Sequence, residues 1–239
     1  MSGAAATGAA LVLSPLARTR RAWAAATGAA SDLKVGLVGC GSQGRTLLVA
    51  GLRIPGIRFA AVCDIWPYHQ KYAANILKEY GQETAVFADF REFLAGAKDL
   101  DAVLIAPPDW VHAEQSIACL KAGRHVYCEK EMATTVADAR AMVAASRAGG
   151  KLLQIGHQRR SNPRYRHADA FVNREHLLGR VTHAYGQWNR ARALEQGWPK
   201  AHVLDADTLK RYGYDSMERF RNWRWYKKFS SGPIADLGS

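Results

Sequence analysis

Residues 33–155 alternate between short apolar runs and longer amphipathic stretches. Residues 33–38 form a buried-strand pattern, 45–50 open a helix, and 59–63 form a second strand. Residues 67–80 read as a helix with proline in its first turn, and 85–87 as a strand. Asp89 is placed to cap a short helix through Leu94. The apolar run 102–106 is closed by Pro107-Pro108, and the next helix is expected from Asp109 to about Ala122, with Gly123 as its stop. Strand 125–128, a helix over 135–148 stopped by Gly149-Gly150, and strand 152–155 complete the series. Strands alternating one for one with helices predict an α/β chain with a doubly wound parallel sheet over residues 32–156. Residues 157–239 form the beginning of a second unit.

Before this pattern, residues 1–31 are dominated by Ala, Gly, Ser and Thr, with one weak apolar run at 9–13. Such a stretch buries little and belongs to no domain. Its texture resembles the apolar part of a bacterial export signal, so a periplasmic or exported protein is expected, the alternative being a cytoplasmic one with an Ala-rich extension. Arg20-Arg21 follows the apolar run, the reverse of a twin-arginine order. A charged leader upstream of Met1 would restore that order.

Composition narrows the class further. The 239 residues are 48% hydrophobic and 23% charged, enough apolar material for a core and too much for a disordered or collagen-like chain. No apolar run reaches the roughly 18 residues of a membrane-spanning helix, so stable membrane insertion is not expected. Cys40, Cys63, Cys119 and Cys128 form no C-x-x-C pair and read as small core residues, so no metal site is assigned. The net charge of +12 is uneven: residues 151–239 hold 17 of the 33 Lys and Arg but only 8 of the 21 Asp and Glu.

The candidate chemistry begins where the first strand runs into Gly39-Cys40-Gly41-Ser42-Gln43-Gly44, a G-x-G-x-x-G. Three context tests are met: a strand precedes, a helix follows, and the second strand ends in Asp64, twenty residues past Gly44. Gly39 permits the tight turn, Gly41 admits a pyrophosphate to the backbone, and Gly44 lets helix and strand pack closely. The helix N-terminus, with Ser42 and Gln43, offers unpaired N–H groups to the phosphates. Asp64 can accept hydrogen bonds from ribose hydroxyls and would repel a 2′-phosphate, and Ile65-Trp66-Pro67 brings no cation to offset it. NAD is therefore expected over NADP. Ligands of such sheets bind at the strand carboxyl ends, where Gly39 to Gly44, Asp64, Pro107, Glu129-Lys130 and His157 all fall. His112, opening a helix nearby, is assigned to the cofactor pocket.

Further along, Ala106-Pro107-Pro108-Asp109-Trp110-Val111-His112, Glu129-Lys130, Gly156-His157-Gln158-Arg159-Arg160 and Gly232-Pro233-Ile234-Ala235-Asp236-Leu237-Gly238-Ser239 join the glycine loop. With these motifs the chain over roughly 33–239 resembles the Gfo/Idh/MocA family. The resemblance implies that the lysine of its E-K-P tripeptide, here Lys130, touches nicotinamide ribose and substrate hydroxyl. Glu131 stands where the family has proline. It also implies that Asp236 joins Lys130 in catalysis, with a histidine expected one position beyond Ser239. A broad, mostly antiparallel open sheet would then complete the second domain and mediate a homo-oligomer, so the chain reads as a fragment of a longer product. The residues themselves support Lys130 independently, because oxidising an alcohol needs a group that accepts or holds the hydroxyl proton.

The second part interleaves basic and aromatic residues, a pattern shared by nucleic-acid and carbohydrate binders. No nucleic-acid motif accompanies it, so a sugar, cyclitol or glycoside is expected and nucleic acid is not. His157, Arg159, Arg160 and Tyr165 are the substrate-side candidates. The expected function is hydride transfer between nicotinamide and a hydroxyl-bearing carbon. The alternatives are an NAD-dependent glycosidase of the same family and a non-catalytic NAD-binding protein.

Overall fold

The structure, a computed structural model, describes residues 32–187 and 195–238. The export expectation falls on residues 1–31, and Trp188 and Arg190 also lie outside the described residues. The parallel strands are β1 (Leu33–Val38), β2 (Ile57–Cys63), β3 (Ala85–Phe87), β4 (Ala102–Ile105), β5 (His125–Glu129) and β6 (Leu153–Gly156). They form one sheet in the order β3-β2-β1-β4-β5-β6. The chain therefore leaves one edge after β3 and restarts on the other side of β1, which opens a crevice above the carboxyl ends of β1 and β4.

Local chemistry fixes the crossovers. Helix α1 (Ser42–Gly51) follows the glycine turn directly, and α2 (Pro67–Glu79) starts with its proline at a position that needs no N–H donor. Asp89 caps α3 (Phe90–Gly96) by accepting from the Arg91 amide at 2.7 Å. The helix expected from Asp109 begins as a 3-10 turn, Asp109–Val111, and becomes α4 at His112–Lys121. Thr135 caps α5 (Val136–Gly149), which ends on Gly150 in the left-handed conformation.

Neighbouring residues of β1 point to opposite faces, so two cores form. Leu37 joins Leu48, Phe59 and Leu77 against α1 and α2, whereas Val38 joins Phe93, Ile105, Leu120 and Met142 against α3, α4 and α5. Each such side chain contributes about 1.5–3 kcal/mol by leaving water.

A third apolar cluster ties the second part to the sheet. Leu204, Leu209, Tyr214, Met217, Phe220, Trp223 and Phe229 pack around Trp66, which follows β2. They come from α7 (Ala206–Arg211), α8 (Met217–Arg221) and the turns between and after them. Here α6 denotes Pro163–Asp169, which precedes this segment. The Trp66 indole donates to the His202 carbonyl at 2.6 Å, and Trp110 donates to the Tyr214 hydroxyl at 3.2 Å. The segment 198–230 is thus a roof over the strand ends.

The start of an antiparallel sheet expected after residue 156 is not found. Among the described residues beyond Gly156 there are only short helices and turns. Asn162 caps α6 by accepting from the Arg164 amide at 2.9 Å, with Pro163 in its first turn, so this stretch closes its hydrogen bonds locally. A strand would need a partner strand to do the same. Leu177, Leu178 and Tyr185 are exposed there. Among the described residues no helix is long and apolar enough to cross a membrane.

Candidate active site

A cavity of about 850 Å³ opens at the crevice, floored by the strand ends and roofed by Tyr214, Phe220 and Trp223. The glycine turn shapes one wall. Gly39 has φ +84°, and a Cβ there would lie 2.4 Å from the Pro107 nitrogen. A Cβ on Gly44 would lie 1.8 Å from the Gly39 carbonyl oxygen, so strand and helix touch backbone to backbone. Gly44 is accordingly buried behind the turn, while Gly39, Gly41, Ser42 and Gln43 line the cavity. Gly41 is the N-cap of α1 and supplies no side-chain cap, and the first turn holds no acidic residue. These uncapped amides and the positive end of the helix fit a diphosphate, the part of a dinucleotide a glycine turn would hold.

Asp64 lies at the end of β2, 9% exposed. Its carboxylate accepts from the Cys40 amide at 2.7 Å and the Trp66 amide at 2.8 Å, with His69 Nδ1 at 3.3 Å. Residues 65–67 bring no cation, but the fold brings an imidazole and one cation from farther away. His69 comes from α2, and Arg221 reaches into the field of Asp64 from the roof, its guanidinium 4.9 Å from the Trp66 ring centre. Burial lowers the Arg221 pKa from its usual value, with the charge of Asp64 opposing that shift.

Lys130 and Asp236 meet on the cavity wall. Lys130 Nζ donates to Asp236 Oδ1 at 2.8 Å and to the Asp236 backbone carbonyl. Arg224 Nε lies 3.5 Å from the same oxygen. Burial pushes the Asp236 carboxyl up, but the Lys130 hydrogen bond and the Arg224 charge overcome it, leaving its pKa below the ordinary value. Glu129 is buried and braces the wall, accepting from Gln43 Nε2 at 2.9 Å and the Tyr127 hydroxyl at 3.3 Å. Burial, with Glu129 beside it, raises the Tyr127 pKa.

Other sequence-assigned residues are distributed less simply. Pro107, His157, Arg159 and Arg160 line the cavity. His112 lies outside the lining, fully buried beneath it, with Nδ1 2.7 Å from the Glu131 carbonyl and Nε2 3.0 Å from that of Pro107. Burial depresses its pKa. Its ring sits between two carbonyls of the floor, and in the neutral form its single N–H donates to one of them. Tyr165 is half-exposed on α6 and also outside the lining, its hydroxyl accepting from Arg159 at 3.0 Å. Its helix is exposed and packs mainly on the turns on either side of it among the described elements.

Sequence reasoning missed the aromatic roof and two buried carboxyls, Asp109 and Glu131, beside Lys130. The only signal for the pair was Glu131 itself, a carboxylate in a proline's place.

This fold and turn define a dinucleotide-binding domain built on a parallel doubly wound sheet. Residues 33–157 match the model of the Gfo/Idh/MocA family, described as an oxidoreductase family with an NAD-binding Rossmann fold, and the chain belongs to that family. It is 35% identical over 135 residues to an inositol 2-dehydrogenase/D-chiro-inositol 3-dehydrogenase of Shouchella clausii, covering 56% of this chain and 38% of that protein. It is 33% identical over 192 residues to a 1,5-anhydro-D-fructose reductase of Ensifer adhaerens, covering 73% of this chain and 55% of that one. A solved scyllo-inositol dehydrogenase of Lactobacillus casei, with bound NAD(H) and scyllo-inositol, superimposes with TM-score 0.57 at 29% identity, covering 63% of this chain and 43% of that one. The chain thus spans between about two fifths and just over half of these relatives.

Proposed function

We propose that the protein is an NAD-dependent oxidoreductase acting on a secondary alcohol of a cyclitol or sugar. The observation that carries this reading is the Lys130–Asp236 pair on the wall of a cavity that the glycine turn also lines. Gly41, Ser42 and Gln43 would hold the diphosphate, and Asp64 the adenosine ribose. Nicotinamide, when bound, supplies a hydride acceptor or donor. Two of the three hydrogens of an ammonium at Lys130 point to Asp236, which leaves the third to hold a substrate oxygen. His157, Arg159 and Arg160, at the open side of the cavity, would bind the remaining hydroxyls. NAD is preferred over NADP because the Asp64 carboxylate opposes a 2′-phosphate.

The polyol relatives set the substrate panel. Purified intact protein should form NADH from NAD with at least one inositol or aldose, read by absorbance. NAD binding without NADH formation on a broad polyol panel would favour a non-catalytic binding protein instead.

A further inference from the structure

Arg221, the last residue of α8, is half-buried and lines the cavity. Among the described residues it forms no ion pair with any carboxylate. A guanidinium drawn partly out of water is ordinarily matched by an acid. This one is held by dipoles and by a ring instead. Nε donates to the Gly197 carbonyl at 3.3 Å and Nη2 to Gln196 Oε1 at 3.4 Å. The guanidinium carbon lies over the Trp66 ring, 4.9 Å from its centre. The remaining N–H groups donate to no described residue.

Both supports of the guanidinium are fixed. The Trp66 indole is buried and donates to the His202 carbonyl at 2.6 Å. The rings of His69 and Phe220 meet it edge-on, with centres at 4.5 and 5.8 Å. On the other side Asn222 pins the strap at 196–197, its side-chain oxygen accepting from the Gln196 amide at 2.6 Å. Trp66 also donates its own amide to Asp64 Oδ1 at 2.8 Å. One residue therefore places both the carboxylate assigned to the ribose and the plane that backs the guanidinium. Asp64 and Arg221 both line the cavity, and no ion pair closes the space between them. Adenosine has the matching chemistry: hydroxyls for a carboxylate and, on the same sugar, an electron-rich flat ring for a flat cation.

We propose that Arg221 is a cofactor-binding residue whose guanidinium, backed by Trp66, stacks on the adenine ring of the dinucleotide. The inference rests on the NAD reading and extends the cofactor site into the second part of the chain. The glycine turn and Asp64 belong to the sheet and Arg221 to the roof, so adenosine is gripped from both. Arginine suits the position because its planar, weakly hydrated head offers one face to indole and the other to a purine. A lysine ammonium has no such plane.

The test uses the intact protein, Arg221→Ala and Arg221→Lys, titrated calorimetrically with NAD, ADP-ribose and NADP. Near-ultraviolet circular dichroism reports whether the rings around Trp66 stay packed. Where Arg221→Ala loses that signal, Arg221→Lys alone carries the test. Arg221→Ala should weaken NAD and ADP-ribose by the same factor, about 5- to 30-fold. Arg221→Lys should lose nearly as much, because charge without the plane does not stack. Unchanged NAD affinity in Arg221→Ala overturns the proposal, and full affinity in Arg221→Lys overturns stacking. A loss confined to NADP would set Arg221 against a 2′-phosphate, and a loss for NAD without one for ADP-ribose would set it near nicotinamide. Either result overturns the adenine contact. A wild type that binds none of the three overturns the dinucleotide reading itself, whereas each of the other results leaves that reading standing.

Discussion

Lys130 and Asp236 are 106 residues apart in the chain, yet their charged groups meet at 2.8 Å on one wall of the cavity. Asp236 is brought there by the roof, not by the sheet, so the completed site depends on the second part folding back over the first. A lysine anchored this way presents its remaining hydrogen in a fixed direction. Lys130→Ala should therefore lower kcat by 100-fold or more while the dissociation constant for NAD changes little. Asp236→Asn should retain more kcat than Lys130→Ala but raise KM, because an amide holds the ammonium less firmly. Steady-state kinetics with separate NAD titrations would check both. Equal loss of NAD affinity in Lys130→Ala would instead place the lysine under the cofactor.

Asp64 makes a second relationship measurable. Its two oxygens already accept from Cys40 and Trp66, so it both shapes the turn and faces the cavity. Asp64→Ala should weaken NAD binding and bring the NAD and NADP affinities closer together. Arg221 beside it should then become the dominant local charge, making the effect salt-dependent. Fluorescence titrations with both nucleotides at two ionic strengths would show this, and an undiminished preference for NAD would remove Asp64 from ribose selection.

Gly44 tests the backbone contact. With a Cβ 1.8 Å from the Gly39 oxygen, Gly44→Ala must separate α1 from β1. Overpacking of this kind costs about 1–3 kcal/mol, and the displaced turn should also lose NAD affinity. Denaturant unfolding and nucleotide titration together report it.

The sheet and the turn were readable because their signals are local. Strand–helix alternation, Gly39 to Gly44, the Asp89 cap, and Asp64 each declare themselves within a few residues. Strand ends shifted by one or two positions, as at Ile57–Cys63, without moving any residue of the turn. The roof was not readable. Trp66 and Trp223 share a cluster across more than 150 residues, and no periodicity in either segment announces the other. Tyr165 and His112 illustrate the same limit from the other side. Sequence places both near the strand ends, but packing turns His112 under the floor, and Tyr165 stands half in solvent on an exposed helix. The buried carboxyls Asp109 and Glu131 were half visible, since a carboxylate in place of proline is conspicuous while Asp109 sits in an ordinary helix start.

Trp66 is the hinge point of the roof, 1% exposed and surrounded by residues 204–229. Trp66→Ala should cost about 3–5 kcal/mol and uncover the second part selectively. Limited proteolysis should then cut within residues 198–230 before cutting the sheet. Simultaneous cutting everywhere would mean that the roof and the sheet unfold as one unit.

The Asp109 carboxyl also leaves a mark on stability. Its pKa rises from 3.8 to about 8 on folding, so the folded chain binds a proton that the unfolded chain releases. The contribution is fully present below about pH 4, declines as pH rises, and is lost above about 8. Between those values the slope approaches about 1.4 kcal/mol per pH unit for this group. His112 acts in the opposite sense, because burial depresses its pKa and acid favours the unfolded, protonated form. Wild-type curves mix the two, and the difference from Asp109→Asn separates them. Across pH 5–8 the variant should gain stability relative to wild type as pH rises, and the gain should level off above about 8. Urea midpoints measured at half-unit pH steps provide the comparison. A difference that does not vary with pH would mean that Asp109 titrates at the same pH in the folded and unfolded chain.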